Sequence, residues 1–321
     1  MKIPRKFIPL IATVSLFAVM STYGGIAYNG FFAPQVFLNL LIDNAFLLVV
    51  AVGMTFVILS GGIDLSVGSV VALSTIVLAA LVQDHQWSMW VAIPLVLTMG
   101  TLFGAFMGWL IQRFRLQPFI VTLAGMFLAR GLCYLISIDS ISITETGYTS
   151  VAQTRVHLWT DGPMLSISAI LSIAVLLLAI FLAHATQFGR TVYAMGGSEH
   201  SATLMGLPVA RTNVQVYAFS GLCAALGGVI FTFYMLSGYG LHAVGLELDA
   251  IAAVVIGGTL LSGGVGYMAG TLFGVLTLGI IQTLIMFDGS LSSWWTRIVI
   301  GILLFVFCVM QRVFESDRKS S

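Results

Sequence analysis

The apolar residues of this chain gather into long, nearly unbroken runs rather than the alternating or three-to-four-residue stripes of a water-soluble fold. Runs near 8–28, 36–59, 67–82, 90–111, 119–138, 164–185, 214–237, 250–262, 267–287 and 297–314 stand between short polar breaks. A hydrocarbon core about 30 Å thick takes roughly 20 residues of helix to cross, and a segment inside it must satisfy its own peptide groups. The pattern predicts an all-α, polytopic membrane protein of about ten transmembrane helices, with eight to ten as the range. Two boundaries stay open. The run 250–262 is short and ends in Ser262-Gly263-Gly264, and 36–82 is interrupted only by Ser60-Gly61-Gly62-Ile63-Asp64-Leu65-Ser66. Each glycine break reads as a loop or as a re-entrant turn.

Composition agrees: 59% of the 321 residues are apolar and 8% charged, against about a quarter charged in a soluble domain. The 13 basic and 12 acidic residues nearly cancel and form no basic run able to follow a nucleic acid, so that partner is excluded. Cys133, Cys223 and Cys308 lie far apart inside apolar runs and give neither a disulfide framework nor a zinc spacing. In a ten-span chain Lys2, Arg5, Lys6, Arg113, Arg115, Arg190, Arg211, Arg312, Arg318 and Lys319 fall on one side, and Arg155 and Arg297 on the other. The positive-inside rule then places both termini in the cytoplasm. The basic N-terminus resembles a signal peptide, but Ser21-Thr22-Tyr23-Gly24 lacks a small-x-small cleavage site, so the first run is read as a span. Residues 139–163, with Asp139, Glu145, Arg155, His157 and Asp161, form an outer loop, and 185–213 a cytoplasmic one. Neither is a soluble domain, and 1–321 is a single transmembrane unit.

Gly100-Thr101-Leu102-Phe103-Gly104 recurs as Gly270-Thr271-Leu272-Phe273-Gly274, and the register extends to Gln112 and Gln282 with seven identities in thirteen positions. Five spans separate the copies, which is the expectation for a 5+5 inverted repeat with broken helices; chance similarity between glycine-rich apolar segments is the rival reading. A second match, Ser60-Gly61-Gly62 with Ser262-Gly263-Gly264, implies a different pairing. Gly100, Gly104 and Gly108, and again Gly266, Gly270 and Gly274, recur every four residues, a spacing that flattens one helix face for close helix packing. Asp43, Asp64 and Arg130 carry the charge within spans. Each needs a partner. By depth Asp43 and Arg130 are expected to pair, as a structural bridge or at a gate, while Asp64 reads as a carboxylate receiving helix-start amides.

No Gly-x-x-x-x-Gly-Lys-Ser/Thr phosphate loop occurs, and His85, His157, His184, His200 and His242 form no metal cluster. The chain is expected to be no enzyme, and any ATP is used by a partner.

Three passages together resemble the permease subunits of bacterial ATP-binding-cassette importers for monosaccharides, the ribose, xylose and galactofuranose group. They are Ala51–Ser69, Glu247–Thr259 followed by Ser262-Gly263-Gly264, and Phe188–Ser198 continuing through Ala202 to Gly206. Phe287–Trp295 most resembles a galactofuranose-importer permease. The resemblance implies a bacterial inner-membrane permease that pairs with a second permease chain, takes sugar from a periplasmic binding protein and is driven by cytoplasmic ATPase subunits. It implies a coupling helix around Ser198–Gly206, to which Arg190, Gly197 and Glu199 add contacts, while Ala202 and Gly206 let it seat closely. Asn44, Gln112, Thr122, Thr259 and Gln282, with Asp43, Asp64 and Arg130, are candidates for the pathway or its gate; helix-packing hydrogen bonds explain the uncharged ones equally well. The main rival is an ion-coupled secondary transporter of a small polar solute, which would share inverted repeats and intramembrane carboxylates.

Overall fold

The computed structural model describes residues 8–157, 162–290, 292 and 294–319, apart from the side chains of 8, 9 and 311–319. Lys2, Arg5, Lys6, Asp161, Leu291 and Ser293 lie outside the described residues, as do the side chains of Arg312, Arg318 and Lys319. In chain order the helices begin with α1 (Ile8–Ala27), α2 (Pro34–Asp43), α3 (Ala45–Leu59), α4 (Val67–Ala79, extended by a wider turn over Ala80–Asp84), α5 (Met89–Phe114) and α6 (Pro118–Ile136). A connection follows with β1 (Ile141–Ser142), α7 (Thr146–Gln153), β2 (Arg155–His157) and β3 (Met164–Ser166). The second half holds α8 (Ile167–Ala185), α9 (Gln187–Gly197), α10 (Glu199–Leu204), α11 (Val209–Met235), β4 (Ser237–Gly238), α12 (Leu246–Ile256), α13 (Met268–Asp288) and α14 (Trp294–Lys319). β1 pairs antiparallel with β4, and β2 with β3.

Among the described residues seven helices are long and apolar enough to cross a bilayer, and the bent pair α2–α3 makes an eighth. α12 and the apolar part of α14 are shorter, so length alone gives up to eight spans, the lower end of the expected eight to ten. The expected straight run over 36–59 is broken: Asn44 leaves helical geometry, its side-chain amide donates to the Leu40 carbonyl at 2.9 Å, and the axis bends by 56°. Both glycine breaks are real interruptions, with helix ending at Leu59 and resuming at Val67, and ending at Ile256 and resuming at Met268.

The apolar pattern decides the layering. Fourteen of the fifteen residues of α3 and twelve of the thirteen of α4 are buried, as suits helices apolar all round. They form the centre with α11 and α12. α5, α6, α8 and α14 wrap them and turn outward large apolar side chains such as Leu102, Phe127, Leu177, Phe181 and Phe305, a surface lipid can cover. The glycine stripes do what the spacing predicts. A Cβ added at Gly100 would lie 2.7 Å from the Gly221 carbonyl, one at Gly104 would meet the Tyr217 carbonyl, and one at Gly108 would lie 2.9 Å from Val214 Cα, all on α11. Gly270 and Gly274 press in the same way on Gly257 and Ala253 of α12, and Gly266 on Thr259. The connection between α6 and α8 is partly built into the core, since α7 buries Tyr148, whose hydroxyl lies 2.5 Å from that of Thr232.

Candidate functional site

The chain between α8 and α11 folds into a two-helix arm. Thr186 caps α9 by accepting from the Gly189 amide at 3.3 Å, Ser198 caps α10 by accepting from the Ser201 amide at 3.2 Å, and Gly206, at φ +76°, closes the turn that ends it. Arg190, Gly197, Ser198, Glu199 and Gly206 are exposed. Ala202 is not. It is fully buried in one cluster with Met195 and Val209, so it anchors α10 to its own chain instead of meeting a partner. The residues left protruding are Leu204, 75% exposed, and Met205, 67% exposed, which the sequence reading did not single out.

The arm meets both glycine breaks. The Gly264 amide donates to the Leu59 carbonyl at 2.9 Å. A Cβ added at Gly196 would lie 2.5 Å from the Gly264 nitrogen, one at Gly263 would lie 2.9 Å from Gly61 Cα, and one at Gly264 2.7 Å from the Gly197 nitrogen. Three glycine pairs remote in sequence thus pack backbone on backbone. The second Ser-Gly-Gly match is therefore a real spatial pairing of the two breaks. Tyr193 of α9 reinforces the joint by donating to the Gly266 carbonyl at 3.0 Å; burial pushes its phenol up to about 12, so it stays a donor at neutral pH. Beside the joint opens a cavity of about 980 Å³ lined by Gly62, Gln112, Arg115, Glu199, Arg211 and Tyr217.

Within the spans the expected Asp43–Arg130 pair is absent. Nη1 of Arg130 donates instead to the carbonyls of Gly240 (2.5 Å) and His242 (2.8 Å). Depth counted along two helices matched them, but the segment between α11 and α12 dips inward and its free carbonyls reach the guanidinium. Asp64 is placed as read: it accepts from the Ser66 amide (2.9 Å), the Ser66 hydroxyl (2.6 Å) and the Ser220 hydroxyl (2.8 Å), with 2% exposure. Every oxygen is occupied, which makes it a lock and not a pathway group. The remaining candidates are scattered. Asn44 forms the kink; Thr122 donates to the Pro118 carbonyl at 2.9 Å and the Ile63 carbonyl at 3.2 Å; Gln112 accepts from Asn213 at 3.2 Å beside the cavity. Thr259 is fully buried against Gly266, and Gln282 faces outward.

The polar groups that do converge are ones the sequence reading missed. His242, Glu247, Asp249 and Arg297 surround the dipping segment. Glu247 Oε2 is buried without a hydrogen-bond partner, as is His242 Nδ1, and the Glu247 carboxylate lies on Gly68 at the start of α4. Arg297 comes 3.2 Å from a Cβ added at Gly245 and is felt electrostatically by Asp249. Gly240 and Gly245, flanking Leu241-His242-Ala243-Val244, are the signal that could have exposed this turn.

A polytopic bundle with broken central helices and a projecting arm defines a multi-pass membrane protein. Residues 36–308 match the family model described as branched-chain amino acid transport system / permease component, and the chain belongs to that family. It is 51% identical over 320 residues to the inner membrane ABC transporter permease protein YjfF of Escherichia coli, covering 99% of this chain and 96% of that one. It is 40% identical to the fructose import permease protein FruG of Bifidobacterium longum, over 97% and 92% of the two chains, and 36% identical to the ribose import permease protein RbsC of Escherichia coli, over 92% and 90%. These relatives are transport permease components and not enzymes. No solved structure matches.

Proposed function

We propose that this chain is the membrane-spanning permease of an ATP-driven importer that carries a monosaccharide, galactofuranose, from a periplasmic binding protein into the cytoplasm by alternating access. The observation that carries the reading is near full-length similarity to permeases named for fructose and ribose import, joined to an arm whose exposed Leu204 and Met205 have nothing of their own chain to bury them. In this reading α10 seats on a cytoplasmic ATPase subunit, which supplies the phosphate loop this sequence lacks, and both termini face the cytoplasm.

The joint between the arm and the two breaks gives the arm a mechanical role. A shift of α9 moves Gly196 and Gly197 directly against the end of α3 and the glycine break that precedes α13, so closure of the ATPase reaches the spans without a flexible intermediary. Two packings of similar free energy are required, and the outside partners select between them. A second permease chain completes the pathway. Galactofuranose rests on the Phe287–Trp295 passage, where Trp294 and Trp295 are exposed. Competition decides it: in cells that take up labelled galactofuranose through this chain, unlabelled galactofuranose should compete best, and preferential competition by ribose or fructose would reassign the sugar.

A further inference from the structure

The stretch joining α11 to α12 is irregular yet deep. Gly238 packs on Ile76 and Ala79 of α4, and the carbonyl of Ala243 lies 2.9 Å from a Cβ added at Gly68. Gly68 stands sixteen residues before Asp84, about 24 Å along a helix axis from that end. Non-helical backbone at such depth occurs where protein or a water-filled cavity covers it, not lipid. Yet Leu241, Val244 and Leu248 are 48%, 57% and 60% exposed.

Polar groups gather here with no internal use. Oε2 of Glu247, Nδ1 of His242 and the hydroxyl of Ser69, next to Gly68, are buried and unpartnered. Two cations bracket them: Arg130, held by the Gly240 and His242 carbonyls, and Arg297, beside Gly245 and Asp249. With Glu247 and Asp249 the formal charges cancel. A neutral lining with separate accepting and donating groups suits an uncharged polyhydroxyl solute and not an ion.

We propose that the dipping segment 239–249 lines the sugar's path, with Glu247 and His242 as the hydrogen-bonding groups that the hydroxyls meet partway across. The proposal rests on the sugar-permease reading and names its substrate contact. Hydroxyls donate to the carboxylate, and the imidazole accepts from or donates to a neighbouring hydroxyl according to its tautomer. Phe231 and Tyr239, with ring centres 5.0 and 5.7 Å from that of His242, hold the imidazole in place.

The test has two arms. In native membranes, Val244→Cys and Leu248→Cys should react with a water-soluble maleimide, while Leu177→Cys on α8 and the parent chain should not; unreactive Val244→Cys and Leu248→Cys would overturn the placement whatever the solute. In vesicles holding the full transporter, Glu247→Gln should raise the KM for sugar about tenfold, the loss of one hydrogen bond to a charged group. Unchanged KM in Glu247→Gln and His242→Gln, with a transporting wild type, would overturn the contact. A wild type that moves no sugar at all would instead overturn the permease reading and leave the labelling result standing.

Discussion

Asp64 and Glu247 are two carboxylates inside the same bundle, each beside the first turn of α4, and they have opposite surroundings. Asp64 receives three hydrogen bonds from Ser66 and from Ser220 of α11 and is buried. Glu247 stands in the first turn of α12, where the dipping segment ends, and one of its oxygens is buried with no donor. A buried carboxylate that is fully bonded fixes the fold, because removing it strands its donors. One left short of a donor costs stability, a cost that water or a bound solute offsets by supplying the bond.

The largest consequence of this difference is in stability. Asp64→Ala should destabilise the protein by on the order of 3 kcal/mol or more, since it leaves two buried hydroxyls and an amide without their acceptor, whereas Glu247→Ala should change stability by less than about 1 kcal/mol. Thermal unfolding of the purified variants in detergent measures both, and equal losses would erase the distinction. Gly68→Ala tests the point where the regions touch. Its methyl would strike the Glu247 carboxylate and the Ala243 carbonyl, so a loss of about 1–2 kcal/mol is expected, with transport falling further than stability does. Next is the pair that failed to form: Asp43→Asn and Arg130→Gln should add to within about 0.5 kcal/mol, and strong coupling in a double-mutant cycle would show that the two meet after all. The smallest effect belongs to Gln282→Ala, within about 0.5 kcal/mol on the same unfolding scale, because its amide faces outward from the bundle.

The spans were legible because hydrophobic length is a one-dimensional property: nearly every apolar run became a helix within a few residues of its expected ends. The glycine stripes were legible for a related reason, since a four-residue period means one face whatever the partner. Asp64 was readable from its own neighbours, Ser66 above all. Depth was not. Residues 236–245, with Tyr239, His242 and the three glycines Gly238, Gly240 and Gly245, have the composition of a loop between spans, and only the packing of Gly238 on α4 reveals that they turn inward. The same blindness produced the expected Asp43–Arg130 bridge, because counting residues from helix ends ignores a third segment entering between them. The two Ser-Gly-Gly breaks were visible as a match, but their contact with each other through Gly196 and Gly197 depends on chain paths that no local pattern encodes. Ala202 was misjudged because a six-residue helix has too few positions to show which side faces its own chain.

The central claim is that this chain is a permease without its own motor, driven through α10 by a separate ATPase. The direct measurement is solute accumulation in vesicles containing the purified chain, first alone under a sodium or proton gradient and then with its ATPase, binding protein and ATP. The account predicts no accumulation in the first case and ATP-dependent sugar uptake in the second; gradient-driven accumulation by the chain alone would contradict it.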